Sequence, residues 1–150
     1  MPDLPPGSII KGADTPPTVS DAQSATVTTT STAYTTSGTD CAVVFVAPTT
    51  GRVKIFTAAR MVNSSATSGS LLAPETRVGG TVGTGTVVEA PIDAIGASHY
   101  GSTFARSGVV HLLSGLTPGE TYNARLLMRT SVGTDTASFA SRELIVEPAT

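Results

Sequence analysis

The chain is poor in the residues that most chemistries require. It has one cysteine, no tryptophan, two histidines and only 13% charged residues, against roughly 25% in an average globular domain. A lone cysteine excludes an intrachain disulfide framework and any zinc site built on several thiolates. Nine basic and eleven acidic residues leave a net charge of −2, so the chain lacks the electrostatic footprint of a nucleic-acid binder. No run approaches the roughly 18 apolar residues of a membrane span, so no membrane insertion is expected. The opening MPDLPPGSII has neither a basic n-region nor an apolar h-region, which predicts folding in a cytosol rather than export.

What fills the space is threonine, 25 residues, and serine, 16, with 15 glycines and 10 prolines. At 39% hydrophobic residues over 150 positions, there is enough apolar material for one core and no reason to expect a second domain. Half of the prolines fall within the first 17 positions, at Pro2, Pro5, Pro6, Pro16 and Pro17. Each fixes its own φ and biases its predecessor to extended backbone. Residues 1–25 therefore read as an extended arm and residues 26–150 as the folded domain. At polyproline-II rise, about 18 residues reach on the order of 55 Å. Pro5, Pro6, Ile9, Ile10, Pro16 and Pro17 are the residues expected to lace this arm onto a neighbouring surface.

Strand signals follow one another from residue 27. The segment 27–36 is β-branched. Segment 41–47 is apolar on both faces, which predicts a central strand, with Cys41 as a buried thiol. Segment 52–62 alternates over ten residues, a firm period-two signal. Pro74 demotes 71–78 to an edge or bulged strand. Further strands are expected at 86–90, 107–113, 121–130 and 136–146, and one helical turn at Asp93-Ala94-Ile95. About eight short strands with Gly/Pro turns predict an all-β fold, an antiparallel β-sandwich or jelly roll.

Candidate chemistry is thin. His99 and His111 are the only bases of the usual kind, and no G-x-S-x-G elbow accompanies them. Asp93, Glu89 and Glu75 have no spacing that singles out an acid and a base. A metal site from His99, Asp93 and His111 has no supporting pattern, although loop oxygens leave Ca²⁺ open. The glycine-rich stretch 79–86 is neither a dinucleotide fingerprint nor a Walker loop and reads as a flexible hairpin. Asn63-Ser64-Ser65 reads as plain loop. The expectation is a protein that is not an enzyme and takes no cofactor. Arg52, Lys54, Arg60, Arg125 and Arg129 lie on the less apolar faces of 52–62 and 121–130. With Phe56 and Leu127 they make a candidate contact face, one stripe if the two strands are neighbours. A solvated face is the plainer alternative. Val44, Val46, Phe56 and Leu127 stand where a lone sandwich would place polar residues.

Two resemblances follow from these residues. Leu116, Pro118 and Tyr122 in GLTPGETYNARL resemble the L-x-P-x-x-x-Y corner of fibronectin type III and related sandwiches, which implies a hydroxyl tying an inter-sheet turn. The missing tryptophan limits this to the corner. More broadly, the segments PPGSIIKGAD, VVFVAPTTGRV and SRELIVEP, with that corner, resemble small minor tail, fibre-like or head-decorating proteins of tailed phages of Actinobacteria. That likeness implies a structural virion protein, assembled in the bacterial cytoplasm. Its partners would be itself, as a homotrimer, and major capsid or tail proteins, with head and tail both open. A host-surface glycan binder on the same sandwich is the alternative, using loops at 63–70 and His99-Tyr100.

Overall fold

The structure is a computed structural model that describes residues 16–150. Of the expected arm, Pro5, Pro6, Ile9 and Ile10 lie outside the described residues. The strands are β1 (Val19–Gln23), β2 (Val27–Thr29), β3 (Ala42–Val46), β4 (Val53–Asn63), β5 (Gly69–Val78), β6 (Val87–Glu89), β7 (Ala97–Tyr100), β8 (Ala105–Leu113), β9 (Thr121–Thr130) and β10 (Ala137–Pro148). A single 3-10 turn, Asp93–Ile95, falls where a helical turn was expected.

Two antiparallel sheets face each other. The first, sheet A, runs β1-β10-β4-β8, with β2 beside the other half of β10. Sheet B runs β3-β9-β5, and β5 then pairs with β6 along one half and β7 along the other. With β1 and β2 taken as one broken strand and β6 set aside, eight strands follow a jelly-roll path, changing sheet at every step except from β5 to β7, which pair within sheet B. The break has a cause in β10. Its pairing with β4 shifts register between Ala140 and Glu143, where Ser141 adopts φ 48°. A bulge bends its strand, and two short strands then follow the two halves.

Alternation makes the core. Val53, Ile55, Thr57, Ala59 and Met61 of β4 point inward, as do Tyr122, Ala124, Leu126 and Met128 of β9. Phe139, Leu144 and Val146 complete it. Burying side chains of this size contributes roughly 1.5–3 kcal/mol each, ample to explain why local preferences yield to the sandwich. Cys41 is fully buried here, and burial, with Asp21 nearby, pushes its thiol up to about 12.

Three strand expectations are corrected. The arm does not extend to residue 25: from Val19 the chain is paired with β10, because Val19, Asp21 and Gln23 alternate inward. Pro16 is already buried, whereas Pro17 is exposed. The 41–47 strand is not central but the edge of sheet B, leaving Val44 and Val46 exposed. Conversely, β5 lies inside its sheet despite Pro74. That proline falls between the residues paired with β7, up to Leu72, and those paired with β6, from Thr76. No strand on that side requires the N–H that proline lacks.

At the turn from β8 to β9, Leu116 is buried and Pro118 is exposed. The Thr117 N–H donates to Tyr122 Oη at 2.9 Å, and the Tyr122 hydroxyl donates to Glu120 at 3.0 Å. The Tyr122 ring stacks on Phe45 with centroids 5.7 Å apart. Tyr122→Phe keeps the ring and removes both bonds. It is expected to destabilise the domain by about 1 kcal/mol, seen in urea unfolding as a lower midpoint at unchanged slope.

Candidate functional site

The predicted contact stripe divides into two. β4 and β9 belong to opposite sheets, and their outer faces point away from each other. Lys54, Phe56 and Arg60 stand on the outside of sheet A, and Arg125, Leu127 and Arg129 on the outside of sheet B. Arg52 precedes β4 and donates to the Thr150 carbonyl. Their separate surroundings differ sharply.

The outer face of sheet B is covered by the chain itself. Glu75 of β5 is buried and accepts two bonds from Arg77 and one from Arg125, each at 2.9 Å. Over this cluster lies the glycine-rich segment 79–86. Buried Asn123 holds it: Gly83 N–H donates to Asn123 Oδ1 at 3.0 Å, and Asn123 Nδ2 donates to the Gly79 carbonyl at 2.9 Å. A Cβ on Gly83 would fall 2.5 Å from the Arg125 guanidinium, and φ there is +74°, so glycine alone permits this seat. The segment is therefore a clamped cover rather than a flexible hairpin. Further along, Asp93 accepts from Tyr34 at 2.8 Å and from Arg129 Nε at 3.1 Å. The Tyr34 ring lies 5.5 Å from the Arg129 guanidinium. Leu127, expected at a contact face, is buried beneath this cover at 5% exposure.

Among the described residues, nothing covers the outer face of sheet A in this way. Ile145, Phe56, Val110 and Leu112 form an apolar band across β10, β4 and β8. Val110 and Leu112 are 50% and 52% exposed. Next to the band, Ala58 and Gly108 floor a shallow depression of about 360 Å³. Charged side chains adjoin it, as Lys54–Glu147 at 3.6 Å and Arg106–Glu143 at 2.5 Å, and Glu143 lines the depression. Arg60 lies 4.6 Å over the Phe104 ring.

The two poles of the sandwich also differ. At one, the loops 64–68, 101–104 and 131–136 gather. Asn63, expected in a plain loop, instead ends β4 with a buried side chain that donates to the Gly69 carbonyl and to Thr130. Ser68, Gly69 and Ser70 are buried too, so the candidate loop 63–70 offers only its middle. Tyr100 is 58% exposed, and its ring lies on Gly69, whose Cβ would meet it at 2.7 Å. His99 Nε2 lies 2.8 Å from the Thr103 carbonyl. The other pole holds the turn 47–52, the Tyr122 corner, the C-terminus and the start of β1.

The remaining titratable candidates are kept apart. His111 Nε2 meets Glu89 at 2.8 Å and joins the edges of the two sheets, Asp93 sits at the Arg129 cluster, and His99 is at the loop pole. Among the described residues, no three His, Cys, Asp or Glu side chains stand together as a metal site. Asn123 and Glu75, which decide how sheet B is covered, were not singled out as partners in the sequence. Their only signal was a polar residue in strands otherwise rich in apolar ones.

No protein-family model matches the chain, and no curated protein matches it. Among solved structures it is similar to the Eiger TNF from S. frugiperda, at 11% identity and TM-score 0.49, covering 89% of this chain and 94% of that one. It is similar to a chain of the infectious bursal disease virus Gx strain, at 13% identity and TM-score 0.46, covering 97% of this chain and 37% of that one. A third likeness is CBM35 from Cellvibrio japonicus Abf62, at 11% identity and TM-score 0.35, covering 89% and 99%. These are likenesses of chain path and carry no activity to this protein.

Electrostatics of the covered face set an acid limit. Hydrogen bonds from Arg77, then Arg125, hold the Glu75 carboxyl below its usual 4.5 despite its burial. A depressed folded-state value stabilises above pH 4.5, and that stabilisation is lost as pH falls through the folded value. Stability of the wild type should therefore decline below about pH 4.5. Glu75→Gln is expected to be less stable at pH 7 and to show a flatter decline, measured by denaturant midpoints from neutral to acid pH.

Proposed function

We propose that this protein is a structural component of a tailed-phage virion, attached by its N-terminal segment and free of enzymatic activity. The observation that carries this reading is bipolarity. β1 starts at the pole that holds the C-terminus, so residues 1–15 depart from that end. Fifteen residues in extended form span on the order of 45 Å, enough to cross a neighbouring subunit. The loop pole, with Tyr100, Phe104 and Val132 exposed, then faces away from the anchorage. This arrangement suits a tail appendage or a capsid decoration subunit, and it agrees with the sequence likeness to small phage structural proteins. An apolar sheet face that no described residue covers supports the same reading, since exposed apolar patches mark surfaces that other proteins cover.

Removal of residues 1–15 tests the anchorage. The strands that build the described core start at Val19, and the shortened chain is expected to keep its circular dichroism spectrum. It is expected to be lost from purified particles that incorporate the full chain. Normal incorporation of the shortened chain would retire the anchoring role.

A second reading, host-surface glycan binding, is favoured by one feature, the Tyr100 ring lying flat on Gly69 with most of its surface in solvent. Aromatic faces of this kind are platforms for apolar sugar faces. Binding of labelled protein to host cells should fall at least about fivefold with Tyr100→Ala if this pole recognises glycans. Unchanged binding would exclude it.

A further inference from the structure

We infer that the free edge of β3 pairs with the same edge of a second copy, antiparallel about a two-fold axis perpendicular to sheet B at Phe45, so that the sheet continues across the pair. β3 is bonded to β9 on one side only. The Leu126 N–H donates to the Cys41 carbonyl at 3.0 Å, and the Ala47 N–H donates to the Glu120 carbonyl at 2.9 Å. These two bonds fix the phase of the ladder. With Val43 opposite Ala124 and Phe45 opposite Tyr122, the peptide groups of Cys41, Val43, Phe45 and Ala47 face β9, and those of Ala42, Val44 and Val46 face the free edge. The Ala42 N–H is taken up by Asp21 Oδ2 at 2.9 Å. Among the described residues, the N–H and C=O groups of Val44 and Val46 have no partner. Their side chains, 41% and 36% exposed, stand on the outer face of the sheet beside those groups.

A second copy offers the same four groups in reverse order. With Val44 of one copy opposite Val46 of the other, each N–H of this pair donates to the opposite C=O, and the symmetry-related pair does the same. Every open group of Val44 and Val46 is then bonded. The neighbouring registers fail. Val44 opposite its own counterpart sets Val46 against Ala42, whose N–H Asp21 already holds. Val46 opposite its own counterpart sets Val44 against Pro48, which has no N–H and whose carbonyl accepts from Gly51 at 2.9 Å. On the outer face, Val44 and Val46 lie side by side across the axis, an apolar cross-strand pair formed twice. The pairing also explains the composition of β3. Ala42–Val46 carries apolar residues on both faces and no charge, the pattern of a strand with neighbours on both sides, yet it lies at an edge. An uncharged apolar edge is a template for another strand, and in the pair β3 becomes interior. β8, the free edge of sheet A, differs: it carries Arg106 and Gly108, and His111 ties it to Glu89 of β6. A two-fold contact closes a pair, not the trimer expected from sequence.

The contact is small, so the expected affinity is weak, with Kd on the order of 100 µM. Sedimentation velocity of the full chain, from about 10 to about 500 µM, should show monomer passing to dimer. Over the same range, hydrogen exchange of the Val44 and Val46 amides, read by NMR, should slow about threefold, with the Val110 amide unchanged. Val46→Pro removes an N–H that the described fold does not use, a substitution edge strands accept. It deletes two of the four intermolecular bonds and should weaken association more than about tenfold. Val44→Lys, at an exposed side chain, places a cation at the contact and should weaken it similarly. Val110→Lys, half exposed on the outer face of sheet A, should leave association unaltered. All three variants should keep the wild-type circular dichroism, and where one does not, the other edge variant decides. A wild type that stays monomeric at about 500 µM, or that forms trimers, overturns the inference. So does a dimer whose Val44 and Val46 amides exchange no more slowly, or one that survives Val44→Lys and Val46→Pro. If a dimer forms only after removal of residues 1–15, the arm holds this edge and the inference is likewise overturned. Incorporation into particles is read separately, so each of these outcomes leaves the anchoring reading standing.

Discussion

A two-layer sandwich closes its core with one face of each sheet, and the opposite faces must then be covered or left to water. That constraint organises this chain. Inward alternation along β4, β9 and β10 builds one continuous core, and hydrophobic burial on this scale outweighs the modest preferences of threonine-rich strands. The remaining features are two treatments of the outer faces.

Sheet B covers itself. Glu75 is the pivot, because a buried carboxylate is tolerable only with its charge matched, and Arg77 and Arg125 match it from two strands. Those guanidiniums then need a roof, which Asn123 fastens through the backbone of 79–86. The Asp93–Arg129–Tyr34 cluster does the same lower on the sheet. Among the described residues, sheet A carries no equivalent excursion. Its connections run at the poles, and among the described residues none lies over Phe56, Val110, Leu112 and Ile145. The described chain thus holds one closed face and one open face.

Much of the architecture was readable along the chain. Residues 121–130 matched β9 at both ends, the ten-residue alternation matched β4 within one residue, and the helical turn fell at Asp93–Ile95. Period-two patterns report which side of a strand is buried, so they survive folding. What they do not report is which strand lies next. Pro74 was read as an edge signal, but its missing N–H falls in the gap between β6 and β7. The segment 41–47 was read as central because both its faces are apolar, yet its exposed valines lie at an edge. The short strand β7 had no alternation long enough to be recognised.

The candidate site illustrates the same division. The sequence determined a threonine-rich all-β domain, a proline-rich leader, the Tyr122 corner and two alternating strands that bear arginine, because composition and periodicity act through neighbours along the chain. It placed Arg60 and Arg125 in one stripe only on the condition that their strands were adjacent. Tertiary structure decided otherwise: β10 and β8 flank β4, and β3 and β5 flank β9, so one arginine set meets solvent and the other is roofed by glycines. Strand order is set by contacts between residues far apart in sequence. No local pattern encodes it, and so only the folded chain separates the face that is closed from the face that is open.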